Sequence, residues 1–270
     1  MRKRLLFITF MFISILNWMP LAAQNCKIYN NVFQGGEELT FDLYLKYGIL
    51  NTKAGYSKIT VANTTYGGQS AYKMVLRAES TGAASKLYSL NDTLTSYMTK
   101  DIVPLAFSKN AHEGGDHTIE TIKYSYNASG VSLKTKRIKN GRERFDVSFT
   151  SKNCIYDFLS IVFYARTLDY STMKKGSETS VEFMSGKRKV KMTIEHKGTE
   201  KMKANDNKKY NCIKLSLSIS DDAFENKEEA MTVYITNDNN RMPVRIDSKL
   251  KVGSTRAILK SFKGNKHPIE

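Results

Sequence analysis

Four histidines occur in the 270-residue chain, His112, His117, His196 and His267, and two of them fall in one short string, HEGGDH at residues 112–117. Imidazole and carboxylate groups this close can hold a divalent metal from a turn. A helical metal motif is excluded, because H-E-x-x-H sets its histidines four apart on one face, whereas these are five apart and separated by two helix-disfavouring glycines. The string reads as a polar hairpin loop, and no metal site is expected. Asp101 and Asp238 invite a second chemical reading, as a carboxylate pair. Each sits in a similar context, TSYMTKDIVP at 95–104 and TVYITNDNNRMP at 232–243, where an Asp most simply bonds to backbone N–H groups of a turn. Arg241 and Arg245 flank Pro243 and offer guanidinium groups to an anionic ligand or partner, against the plainer reading of a solvated strand face. The chain has no G-x-S-x-G elbow, no phosphate-cradling glycine loop and no dinucleotide fingerprint. No catalytic residues are assigned, no cofactor is expected, and the chain is not expected to be an enzyme.

Three cysteines, Cys26, Cys154 and Cys212, lie far apart with no C-x-x-C pair, which argues against zinc or redox chemistry. An oxidising compartment permits one disulfide and leaves one thiol over. The default expectation is two buried cysteines acting as small hydrophobes and one thiol near the terminus.

The compartment is written in the first residues. Arg2, Lys3 and Arg4 precede an apolar run from Leu5 to about Leu16, followed by Pro20, Ala22 and Ala23. That is the layout of a secretory signal peptide over residues 1–23, and Asn17 and Pro20 interrupt the run before it reaches membrane-spanning length. A lipoprotein variant would acylate Cys26, but Gln24 and Asn25 stand where such a signal needs small residues. Residues 24–270 are expected to form one soluble β-rich domain, periplasmic or envelope-associated. They carry 39 cations against 26 acids, a formal charge of +13, which favours anionic partners such as lipid head groups over a nucleic acid that export puts out of reach. The cations are scattered, so a generally basic solvated surface is the plainer reading. The one tryptophan, Trp18, leaves with the leader, which removes the commonest residue for stacking on sugars.

Period-two alternation dominates the rest. Leu39, Phe41, Leu43, Leu45 and Tyr47 share one face of ELTFDLYLKY, and the pattern returns around Met74, Ile122, Val147, Met192 and Leu215. Turn signals separate these runs: YGGQ at 66–69, NASG at 127–130, KNGR at 139–142 and ANDNKK at 204–209. One segment departs from the pattern. Ile155, Phe158, Leu159, Val162 and Phe163 follow helical spacing, predicting one central helix at about 154–166, capped by Asn153, with Asp157 favoured in its first turn by the helix dipole. Tyr156, Ile161 and Tyr164 make it apolar nearly all round, so it should pack against a sheet, and Phe158→Asp should destabilise it.

The two Asp-containing stretches align with Tyr97 on Tyr234, Thr95 on Thr232, Thr99 on Thr236 and Asp101 on Asp238. Tyr72 and Tyr210 stand at similar distances upstream, and Gly114 and Gly253 each follow the proline by ten residues. One β unit used twice, at about 55–126 and 186–262, accounts for this. The expected architecture is a large antiparallel sheet curled into a barrel or half-barrel, built from modules at about 36–150 and 172–262 with a helical connection at 151–171. A cavity between helix and sheet would take a lipid or other amphipathic molecule. Tyr156, Phe158, Leu159, Phe163, Tyr164 and Arg166 of the helix, with Arg241 and Arg245, are the candidate ligand-binding residues. The alternative is a structural protein that docks an envelope partner without a small ligand.

The order of GEELTFDLYLKYGILNTKAGYSKITV, STGAASKLYSLNDTLTSYMTKDIVPLAF, DFLSIVFYAR and TNDNNRMPVRIDSKLKVGSTRAIL resembles the exported bacterial family named domain of unknown function 3108, from about Gly36 to Leu259. The resemblance implies an envelope protein with a β-rich fold, and assigns no activity or catalytic residues.

Overall fold

A computed structural model describes residues 26–47, 50–220, 229–249 and 253–269; the expected leader, 1–23, lies outside them. The alternating runs become strands: β1 (Glu38–Tyr47), β2 (Leu50–Tyr66), β3 (Gln69–Ser80), β4 (Leu90–Thr99), β5 (Pro104–Glu113), β6 (Asp116–Asn127), β7 (Gly130–Lys139) and β8 (Arg142–Ser151) in the first half. β9 (Ile155–Tyr156), β10 (Glu178–Ser185), β11 (Arg188–Lys203), β12 (Lys209–Ile219), β13 (Met231–Thr236), β14 (Pro243–Lys249) and β15 (Ser254–Lys263) form the second. All fifteen join one sheet in the order 8-7-6-5-4-3-2-1-15-14-13-12-11-10-9. Every pairing is antiparallel except that of β9 with β10. The two halves are thus sewn together at the middle of the sheet by β1 and β15, from Glu38 opposite Lys263 to Lys46 opposite Ser254.

Local chemistry sets the hairpins. Gly67 and Gly68 both take positive φ in the β2–β3 turn, as do Asn140 and Gly141 in the β7–β8 turn, which are the two central positions of the turn that matches strand twist. HEGGDH is the β5–β6 hairpin: Glu113 pairs with Asp116 and His112 with His117, whose rings stack 4.1 Å apart. No cluster of metal-ligating side chains occurs there or elsewhere among the described residues.

The two stretches that prompted the repeat share register in detail. A bulge follows Tyr97 in the β4–β5 pairing, with Tyr97 opposite Ala106 and Met98 opposite Pro104. The same bulge follows Tyr234 in β13–β14, with Tyr234 opposite Arg245 and Ile235 opposite Pro243. In each turn a threonine hydroxyl accepts the N–H that re-enters the sheet, Thr99 from Val103 and Thr236 from Met242. The residue before that N–H, Ile102 or Arg241, has positive φ. One expected equivalence fails. Lys73 stands opposite Tyr97 and Lys214 opposite Tyr234, so Tyr72 corresponds to Ile213 and not to Tyr210. The ladder pairing, which fixes which face a side chain takes, overrides the match of residue type.

The central helix is shorter than expected. Ile155 and Tyr156 form β9, and α2 spans Ser160–Thr167; a second, one-and-a-half-turn helix, α1 (Gly82–Leu87), precedes β4. Asp157, not Asn153, closes the N-terminus: its Oδ1 accepts the N–H groups of Leu159 and Ser160, and its own N–H donates to Ser160 Oγ. This reciprocal bonding is the capping-box arrangement with Ser at the fourth position. Ser96 of β4 donates to Oδ2 across the interior. Asp157 is fully buried, and burial pushes its carboxyl up to about 6 despite the four groups around it that favour the anion. Tyr124 presents a buried hydroxyl without a hydrogen-bond partner in the same region.

Between the unfolded value near 4 and about 6 the folded chain holds a proton that the unfolded chain has released, so stability falls as pH rises through this window and is level above it. The proton so held is worth roughly 2–3 kcal/mol. Asp157→Asn keeps an acceptor for the capping N–H groups and removes the charge. Denaturation of the variant should show that slope flattened relative to the wild type between pH 4 and 6, with no loss of stability at pH 7.5. Asp92, pushed up to about 7 by burial and by its neighbour Glu113, contributes a slope of its own in both proteins and cancels in the comparison.

Candidate functional site

Helix α2 divides the interior. On one side Leu159 and Phe163 join a filled core with Phe33, Leu39, Phe41, Met74 and Met98. On the other Ile161, Tyr164, Ala165 and Leu168 face a second cluster built on Phe183, Met192, Ile213, Leu215, Leu217 and Ile235. Residues adjacent in sequence are split between the two clusters: Cys212 from Ile213, and Tyr234 from Ile235. The alternation of strand side chains therefore buries both faces of β12 and β13.

The second cluster is not filled. Between α2 and β10–β14 lies an apolar slot of about 210 Å³, walled by Ile161, Ala165, Phe183, Leu215, Leu217 and Ile235. Val233, Pro243 and Ile246 extend the wall, and Phe158, 50% exposed, stands at the rim. Phe158 lies outside the helical stripe because the cap falls at Asp157, four residues later than the Asn153 that the periodicity implied. Its contribution to the core is correspondingly small. Phe158→Asp is now expected to change stability by no more than about 0.5–1 kcal/mol, which a thermal melt can check.

Of the candidate residues, the slot brings together Phe158 and Arg166 only. Leu159 and Phe163 belong to the filled core. Tyr156 and Tyr164, rings 4.7 Å apart, line a separate polar concavity beside Cys26 and Cys154. Arg241 donates to the Leu168 carbonyl at 2.6 Å and lies over the Tyr170 ring; Arg245 pairs with Asp247 at 2.8 Å. Asp238 Oδ1 takes the N–H groups of Asn240 and Arg241 at 2.9 and 3.0 Å, the turn role expected of it.

Arg166, which borders the slot, is also held in a buried ion pair. It is 1% exposed, and its Nη1 and Nη2 donate to the two carboxylate oxygens of Glu37 at 2.6 and 2.8 Å. Nη2 also reaches the Asn240 carbonyl and Nε the Arg241 carbonyl, while Phe33 and Phe163 lie against the guanidinium. One side chain so fastens the start of β1, the end of α2 and the β13–β14 turn. Its partner is 129 positions away, and no sequence spacing points to it. The slot walls from Leu215 to Ile219 read as an alternating strand, but nothing in that alternation says that the facing helix leaves space.

Cys26 and Cys154 form a disulfide, against the expectation of unpaired cysteines, with Cα atoms 5.5 Å apart. Cys212 is the free thiol, buried in β12, and burial pushes it up to about 12. It is protonated and inert at neutral pH.

A mostly antiparallel sheet curled round an internal helix, with an apolar slot on one side of that helix, defines a β-barrel-like protein. The chain belongs to the family described as protein of unknown function, DUF3108, whose model matches residues 14–260. No curated protein matches the sequence. Among solved structures, a β-barrel-like protein of domain of unknown function DUF1849 from Brucella abortus shares the fold with a TM-score of 0.58 at 10% identity, over 86% of this chain and 98% of that one. A protein with a YmcC-like fold from Bacteroides fragilis aligns over 88% of this chain and 100% of its own, at 13% identity and a TM-score of 0.36. No helix among the described residues is long and apolar enough to cross a membrane.

Proposed function

We propose that this chain is an exported, non-catalytic envelope protein that takes the apolar part of an amphiphile into the slot beside α2. The slot itself is the observation that supports the reading. An apolar cavity of about 150 Å³ stays dry and admits a benzene ring, so about 210 Å³ has room for a single narrow chain. Sites for whole drug-sized molecules start at roughly 300 Å³, which leaves the rest of the ligand outside. In this reading the modules at 36–150 and 172–262 both contribute to the core that holds α2, and the second alone supplies the sheet wall of the slot. Export is supported by the leader at 1–23 and by a disulfide of the kind that persists in oxidising compartments. The bond of Cys26 to Cys154 supports a chain without a lipid thioether at Cys26.

The test is titration of the delipidated protein with a fluorescent long-chain fatty-acid probe. One site per chain is expected, with Ala165→Phe, which fills the slot, weakening it at least ten-fold, and Phe158→Asp weakening it less. Equal binding by wild type and Ala165→Phe, or none by either, would count against the slot.

A further inference from the structure

A second concavity, of about 530 Å³, adjoins the slot where the β10–β11 turn meets the β7–β8 hairpin, and Ser185 lines both. Its character is opposite. Arg137, Lys139 and Arg144 of the first half and Lys187 and Arg188 of the second converge on it. The turn is held against the hairpin: Thr135 Oγ1 donates to the Gly186 carbonyl at 3.4 Å, and a Cβ on Gly186 would come within 3.0 Å of the Arg137 guanidinium. Carboxylates offset only part of the charge. Glu120 is bonded to Arg137, and Asp116 pairs with Lys139 at 2.6 Å. Arg144 and Lys187 are both exposed and make no salt bridge among the described residues, although the Arg144 charge also favours the ionised Asp116 carboxylate.

We infer that this basic cleft receives the anionic head group, of the phosphate type, of a single-chain amphiphile whose tail occupies the slot. The inference rests on the slot reading and adds the class of ligand. Charge complementarity selects the head group: guanidinium donors match the oxygens of a phosphate, and clustered cations of one sign raise the local concentration of anions. The shared lining at Ser185 selects the linkage, since one molecule passing it can place chain and charge in the two concavities at once. A neutral amphiphile would gain the slot and bring no charge to Arg144 and Lys187.

Isothermal titration of the delipidated full mature chain with dodecyl phosphate, dodecyl maltoside and inorganic phosphate tests the assignment. At low salt, dodecyl phosphate should bind at least ten-fold more tightly than either of the others. Charge reversal at two exposed positions, Arg144→Glu with Lys187→Glu, should bring the ratio of dodecyl phosphate to dodecyl maltoside affinity to about one, and so should high salt. Ala165→Phe should weaken both amphiphiles. If dodecyl maltoside binds and the ratio survives charge reversal, or was never above one, the head-group assignment falls and the slot reading stands. If inorganic phosphate binds as tightly as dodecyl phosphate, the cleft is an anion site uncoupled from the slot and the joint site falls. If neither amphiphile binds the wild type, both readings fall together.

Discussion

Replacing Glu37 with Met is expected to remove about 3–5 kcal/mol of stability, because it leaves the Arg166 guanidinium buried at 1% exposure without its counter-charge. Arg166→Met should cost a similar amount for a complementary reason: a carboxylate is stranded, and the Asn240 and Arg241 carbonyls lose their donors. The double change separates the two causes. Buried ion pairs often exchange for apolar groups of like volume without net loss, so a simple pair would recover in Glu37→Met with Arg166→Met. Here two carbonyls remain unpaired, and recovery should be partial. Urea denaturation of the four proteins gives the coupling energy. Full recovery in the double variant would show that the carbonyls are satisfied by other means, and a single-variant loss below about 1 kcal/mol would show that the pair is not the fastening described above.

The second large effect concerns Cys26 and Cys154. The bond closes a loop spanning 128 positions, for which chain-entropy arguments give up to about 5 kcal/mol and observed losses run from about 2 to 5 kcal/mol. Cys154→Ser, or reduction of the wild type, should lower the denaturation midpoint by that amount. Cys26→Ser should match Cys154→Ser, and reducing the double variant should have no further effect, since Cys212 is protonated and buried. A double variant as stable as the oxidised wild type would show that the loop is held by contacts elsewhere.

How far such features could be read in advance depends on how local they are. The four turn signals are hairpins because Gly67–Gly68, Gly130, Asn140–Gly141 and Asn207 supply the needed positive φ locally. The Tyr97 and Tyr234 stretches predicted related turns because threonine, proline and a left-handed residue act at short range. The helix boundary was misplaced by the same locality: spacing sees Phe158 as part of the stripe, whereas the cap made by Asp157, fixed from β4 by Ser96, decides where the helix begins. The slot and the Glu37–Arg166 pair lie beyond this horizon. Both depend on elements far apart in the chain meeting at a particular distance, and a single sequence records the residues without that distance.

The pairing of β1 with β15 sets an order of events for a chain that emerges from its N-terminus. Strands β1 to β8 can zip through successive hairpins as they appear, and Cys154 is available to Cys26 as soon as the residues just past β8 are out. One edge of that assembly, β1, then waits for β15 to arrive. Until Ser254–Lys263 docks, Phe41 and its neighbours form an open, strand-hungry border of the kind that recruits other chains. Loss of the final twenty residues would therefore do more than shorten the sheet: it would leave that border permanently available to a second molecule.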